Sequence, residues 1–186
     1  MSALASPLWT ALYTPGHDAC RIERLADGWR LAGTAVFAHE RGPASLAYSV
    51  DCAPDWTTRN GDVRGWIGDA TVEADIRRGP QGWTLNGAPQ PQVEGCLDLD
   101  YGFTPATNRL QMSRAAIGVG QTVDFDVAWF DGEGGLRRLP QTYERLTPTT
   151  YRYASPDGDY RAVLEMDEDG FVTHYPTLWR AQEPMA

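Results

Sequence analysis

Apolar and polar residues alternate along most of this chain in short extended runs. Val72, Ala74 and Ile76 fall on one side of such a run, opposite Thr71, Glu73, Asp75 and Arg77. That period of two is what a half-buried β-strand requires. Val123, Phe125, Val127 and Trp129 alternate in the same way, as do Tyr160, Ala162, Leu164 and Met166. Further strands are predicted over 8–13, 21–26, 29–38, 45–52, 81–85, 136–146, 151–154 and 171–175, with an extended run from Trp56 reaching Ile67. No window of about eleven residues or more repeats at the helical period of 3.6.

The runs are separated by turn residues. Asp-Gly or Asn-Gly pairs stand at Asp27-Gly28, Asn60-Gly61, Asn86-Gly87, Asp131-Gly132, Asp157-Gly158 and Asp169-Gly170. Such pairs tolerate the positive φ of tight hairpins, and Gly79-Pro80 offers another return. Short strands joined at this spacing predict an all-β fold. The expectation is a single domain over 1–186: an antiparallel β-roll, or open barrel-like curved sheet, with little helix. A barrel of about eight strands or more can enclose a small ligand. Trp56, Trp66, Trp83 and Trp129 would suit a lined pocket or fill a core.

Composition narrows the function. The chain has 186 residues, which suits one domain with its own core. Its formal net charge of -9 opposes phosphate backbones and anionic lipid surfaces, and Arg77-Arg78 and Arg137-Arg138 are too short to form a basic patch. Nucleic-acid binding is not expected. Cys20, Cys52 and Cys96 are odd in number and without CxxC spacing, so they read as buried thiols in a reducing compartment. With no basic leader and no apolar run long enough to span a bilayer, a cytoplasmic protein without a transmembrane segment is expected.

The stretch from Glu94 to Arg114 carries the densest chemistry. Cys96, Asp98 and Asp100 share one side of a predicted strand, and Leu97, Leu99 and Tyr101 the other. The two carboxylates then lie roughly 6.5 to 7 Å apart. That spacing suits hydrogen bonds to sugar hydroxyls, ion pairs with Arg59, Arg109 or Arg114, or the acid and base of a glycosidase. Beyond them, Thr107, Asn108 and Arg109 offer a hydroxyl, an amide and a guanidinium to a polar head group. Asn108 could instead take the left-handed conformation and cap the turn. Pro105 permits one helical turn, N-capped by Thr104 and ending near Leu110. His17, His39 and His174 are scattered, and no Walker A, HExxH, GxSxG or GxGxxG pattern occurs. No cofactor or metal site is predicted.

Gly95-Cys96-Leu97-Asp98-Leu99-Asp100, followed by Phe103-Thr104-Pro105-Ala106-Thr107-Asn108, resembles the signature of the putative glycolipid-binding family, a bacterial group. Leu46-Ala47-Tyr48-Ser49-Val50-Asp51 and Trp56-Thr57-Thr58-Arg59 resemble its tyrosine strand and W-T-x-R element. Gln141-Thr142-Tyr143 and Tyr151-Arg152-Tyr153 resemble its Q-x-Y and R-Y elements. Two departures stand out: Arg109-Leu110-Gln111-Met112 lacks the family's proline, and the first 28 residues match loosely, which leaves Trp9 and His17 without support.

The resemblance implies a spiral antiparallel sheet that binds an amphiphilic small molecule or glycolipid without catalysis. The acyl part would lie against inward apolar positions. The candidate ligand-binding residues are Tyr48, Trp56, Arg59, Asp98, Asp100, Thr107, Asn108, Arg109, Tyr143 and Arg152. The alternatives are a hydrolase or lyase acting on a small glycan or ester through Asp98 and Asp100, and an interaction module with a filled core. Open sheet edges would allow a homodimer.

Overall fold

The computed structural model describes residues 3–155 and 159–182. Its alternating runs form one sheet of sixteen strands among the described residues. The first half supplies β1 (Ala3–Ala5), β2 (Leu8–Ala11), β3 (Gly16–Leu25), β4 (Gly28–His39), β5 (Gly42–Cys52), β6 (Thr58–Ile67), β7 (Ala70–Gly79), β8 (Gly82–Leu85) and β9 (Ala88–Pro89). The second supplies β10 (Asp98–Tyr101), β11 (Thr122–Phe130), β12 (Arg137–Arg145), β13 (Thr150–Ser155), β14 (Tyr160–Met166), β15 (Val172–Tyr175) and β16 (Trp179–Ala181). The order runs from β10 to β16, then from β2 to β9, with β1 pairing on β3. β16, which the alternation did not reveal, is the joint: it pairs with β2 and sets that strand in mid-sheet.

The all-β, single-domain expectation holds. Neighbours on the path are antiparallel except β10 and β11, which are parallel. The connection from β10 to β11, residues 102–121, carries the helix and is long enough for the crossover that a parallel pair requires. β10 lies inside the curved sheet, with all four residues buried. Opposite it, the Thr58 N–H donates to the Leu97 carbonyl at 3.1 Å, and the Thr58 hydroxyl accepts from the Leu99 N–H at 3.1 Å. These bonds tie the start of β6 to β10 across the roll. Neither end of the path is a long free edge, since β10 is covered and β9 has two residues, one of them Pro89.

Asn60-Gly61 is the exception among the predicted turns. It lies within β6 at ordinary strand geometry. A Cβ at Gly61 would collide with Leu99 Cδ2 and the Tyr101 hydroxyl, so glycine is needed there for close approach and not for a turn. Asn86-Gly87 does turn the chain, with both φ values positive (49° and 79°). Asp157-Gly158 lies outside the described residues. Trp56 is not extended either; its φ is 69° in the loop between β5 and β6.

The helix is longer than predicted and begins later. α1 spans Asn108–Ala115, its N-cap is Thr107, and Ala116 ends it in the left-handed conformation, its N–H donating to the Met112 carbonyl at 3.2 Å. Thr104 does not cap it: its hydroxyl accepts from the Ala106 N–H at 3.0 Å. Together β10 and α1 fill the interior. Leu99, Tyr101, Phe103, Ala106 and Leu110 are all buried, and Tyr101 stacks on Phe103 with centroids 5.2 Å apart.

Candidate functional site

A cleft of about 450 Å³ opens beside the C-terminal end of β10. Asp100, Thr104 and Asn108 contribute to its floor, Tyr153, Tyr160 and Tyr175 to one wall, and Trp129, Leu139, Leu178 and Trp179 to the apolar remainder. Arg137 and Arg138 stand at it with their charges already committed. Arg137 donates to Asp131 at 3.0 Å and lies over the Trp129 ring, and Arg138 pairs with Asp126 at 2.7 Å.

The floor is built from the turn between β10 and α1. The Thr107 hydroxyl accepts from the Tyr101 N–H at 3.1 Å and donates to Asp100 Oδ1 at 2.6 Å. One side chain therefore ties the turn back to the strand and orients its carboxylate. Gln141 on β12 donates to Asp100 Oδ2 at 2.7 Å. Burial pushes the Asp100 carboxyl up to about 6; the Thr107 and Gln141 hydrogen bonds pull it down, and neighbouring Asp98 adds to the rise. A carboxylate has about four lone-pair positions, so acceptor capacity remains for a hydroxyl in the cleft.

Asn108 does not adopt the left-handed turn conformation. It opens α1 and donates its side-chain amide to the Tyr143 hydroxyl at 2.6 Å. Tyr143 packs on Tyr153, centroids 4.8 Å apart, and Tyr153 meets both Tyr160 and Tyr175. The tyrosine wall is thus continuous with the floor. β13 and β14 place Tyr153 and Tyr160 in nearly opposed registers, because the period of two keeps them on the inner face.

The ten predicted ligand-binding residues divide three ways. Asp100 and Asn108 line the cleft, and Thr107 and Tyr143 hold them. Tyr48 lies one step further away, buried and donating to Asp18 at 2.9 Å. The other five stand apart. Asp98 is 1% exposed and paired with Arg114 at 2.7 Å. Arg109 lies over the Trp56 and Phe171 rings, beside a separate cavity edged by Asp167 and Asp169. Trp56 stacks on Trp29, with centroids 4.6 Å apart. Arg59 reaches Asp27 on the surface, and Arg152 is exposed and pairs with Glu144. Of the four tryptophans considered for a pocket, Trp129 lines the cleft, Trp66 is exposed and Trp83 is buried against the Cys96 carbonyl.

Asp18 is the polar residue that the sequence reading missed. It is wholly buried, accepts from Tyr48 and from the Thr104 hydroxyl, and burial pushes its carboxyl up to about 7 against those bonds. A signal was present: Asp18 is in phase with Cys20 and Ile22 on the buried face of β3. Through Thr104, this buried acid touches the cleft floor. Among the described residues, no group of three or more His, Cys, Asp or Glu converges as a metal site. No described helix is long and apolar enough to cross a membrane.

The family model described as putative glycolipid-binding matches residues 7–181, and the chain belongs to that family. It is also similar to the crystal structure of a DUF1089 family protein from Pseudomonas aeruginosa. That likeness has a TM-score of 0.76 and 27% sequence identity, and covers 88% of this chain and 90% of the other. No curated protein matches the chain.

Proposed function

We propose that this member of the family binds the hydroxylated head group of an amphiphile, such as a glycolipid, in the cleft beside β10, without catalysing a reaction. The observation that carries this reading is the pairing of a buried carboxylate and amide, Asp100 and Asn108, with a floor hydroxyl and aromatic walls in one cleft. A sugar ring presents hydroxyls around its edge and C–H groups on its faces. Acceptors and donors at the floor meet the former, and tyrosine and tryptophan rings meet the latter. The volume of about 450 Å³ is within the range of small-molecule sites.

The glycosidase alternative requires two carboxyl groups flanking one bond. Asp98 is closed off by Arg114, whose guanidinium reaches both carboxylate oxygens, and Asp100 is the acid that faces the cleft. Binding is therefore the favoured reading. It is tested by native mass spectrometry of protein purified gently from its own host, followed by denaturing extraction. A stoichiometric hydroxylated amphiphile supports the proposal, and loss of that species from Asp100→Ala places it at the cleft. Retention of the species by that variant would refute the assignment.

A further inference from the structure

We infer that the amphiphile is held by its head and the first methylenes of its chain, and that the chain leaves the cleft over an apolar lip formed by Leu12, Tyr13 and Leu178. This rests on the head-group reading above. Three observations support it. The interior of the roll is occupied, with Leu99, Phe103 and Leu110 at 3% exposure or less. The cleft, at about 450 Å³, lies toward the lower end of the range for small-molecule sites. Such a volume suits a sugar ring with part of its aglycone, and is less than a glycolipid with long acyl chains would fill.

The third observation is where apolar surface remains exposed. Leu12 and Tyr13 are consecutive, 45% and 50% exposed, and follow β2. Single exposed apolar side chains are ordinary. These two, however, continue the wall of the cleft. The Leu12 N–H donates to the Leu178 carbonyl at 2.8 Å, and the Tyr13 ring meets the Trp179 ring edge-on with centroids 5.7 Å apart. Leu178 and Trp179 both line the cleft. A chain attached to a seated ring would pass from the Trp179 wall onto Tyr13 and Leu12, where its first methylenes leave water. The remaining methylenes would project free of the protein.

The test is a titration series with methyl, butyl, octyl and dodecyl glycosides of glucose, galactose and mannose, all below their micelle thresholds. Affinity should improve about two- to fourfold for each methylene the lip covers, so about eight- to sixtyfold from methyl to butyl, and then level off. Leu12→Ser and Tyr13→Ser should remove that increment while leaving methyl glycoside binding unchanged. Leu12→Ser alone serves where the Tyr13 change disturbs Trp179. Affinity that keeps climbing through octyl and dodecyl would show a buried chain and overturn the inference while leaving the head-group reading intact. So would methyl glycoside binding with no dependence on chain length. Failure of every glycoside to bind would remove the head-group reading, and this inference with it.

Discussion

Gln141 donates its side-chain amide to Asp100 Oδ2 at 2.7 Å, joining β12 to β10 over the intervening β11. The bond fixes one carboxylate oxygen while Thr107 fixes the other. The acid at the cleft floor is therefore oriented before any ligand arrives, which lowers the entropy cost of binding.

That geometry predicts a pH dependence of binding. With its carboxyl raised to about 6 by burial, Asp100 is an acceptor above that value and gains a proton below it. A head-group hydroxyl that donates to the carboxylate should bind most tightly above pH 6 and weaken by up to about tenfold per pH unit below it. Asp100→Asn should bind more weakly and show a flat profile. Calorimetric titration with a glycoside across this range checks both.

Asp18 predicts a pH dependence of stability. Its folded-state carboxyl is raised to about 7 by burial, above an ordinary value of 3.8. The folded protein therefore holds this proton more tightly than the unfolded chain does. The stabilisation is complete below about pH 4 and is lost as pH rises through 7. The unfolding free energy of the wild type, minus that of Asp18→Asn, should fall between pH 5 and pH 8 by a few kcal/mol at most, at about 1.4 kcal/mol per pKa unit. Urea titrations at the two pH values measure it. An unchanged difference would show that Asp18 is ionised throughout.

Gly61→Ala should destabilise the fold. The added methyl would meet the Leu99 side chain and the Tyr101 hydroxyl, and the latter donates to the Ser49 carbonyl at 3.1 Å. Overpacking of this kind costs about 1–3 kcal/mol. The urea midpoint should drop accordingly.

Removing Arg114 would strand a buried charge. Asp98 is 1% exposed, and Arg114, itself 23% exposed, is its counterion. Arg114→Met should cost about 3–5 kcal/mol, as breaking a buried pair from one side does. Adding Asp98→Asn should restore much of that loss. Equal stability of single and double variants would contradict the pairing.

The strands and most turns were legible because one face of each strand is buried, so hydrophobic alternation reports the fold directly. β10 was only half legible. Its Leu99 and Tyr101 read as a core face and its Asp98 and Asp100 as a polar one, but the strand lies inside the roll and both faces are covered. Sequence alternation cannot separate a polar face that meets solvent from one that meets Arg114, Thr107 and Gln141. α1 was legible only as a single turn ending near Leu110, because it is eight residues long and buries Asn108 and Gln111 as well as Leu110 and Met112, which leaves no apolar stripe. Asp100 and Asn108 could be singled out because they sit at a strand-to-turn junction. The ion pairs of Arg59 with Asp27 and of Arg152 with Glu144 join residues far apart in sequence or on neighbouring strands, which a linear reading does not show.

The most direct test of cleft binding is a two-dimensional proton–nitrogen NMR titration with methyl and octyl glycosides, following the tryptophan indole and asparagine side-chain signals. The indole N–H groups of Trp129 and Trp179 and the side-chain amide of Asn108 should shift together along one binding curve, while exposed Trp66 stays still. Shifts confined to Trp66, or to Trp56 beside Arg109, with the cleft signals unmoved would contradict the account.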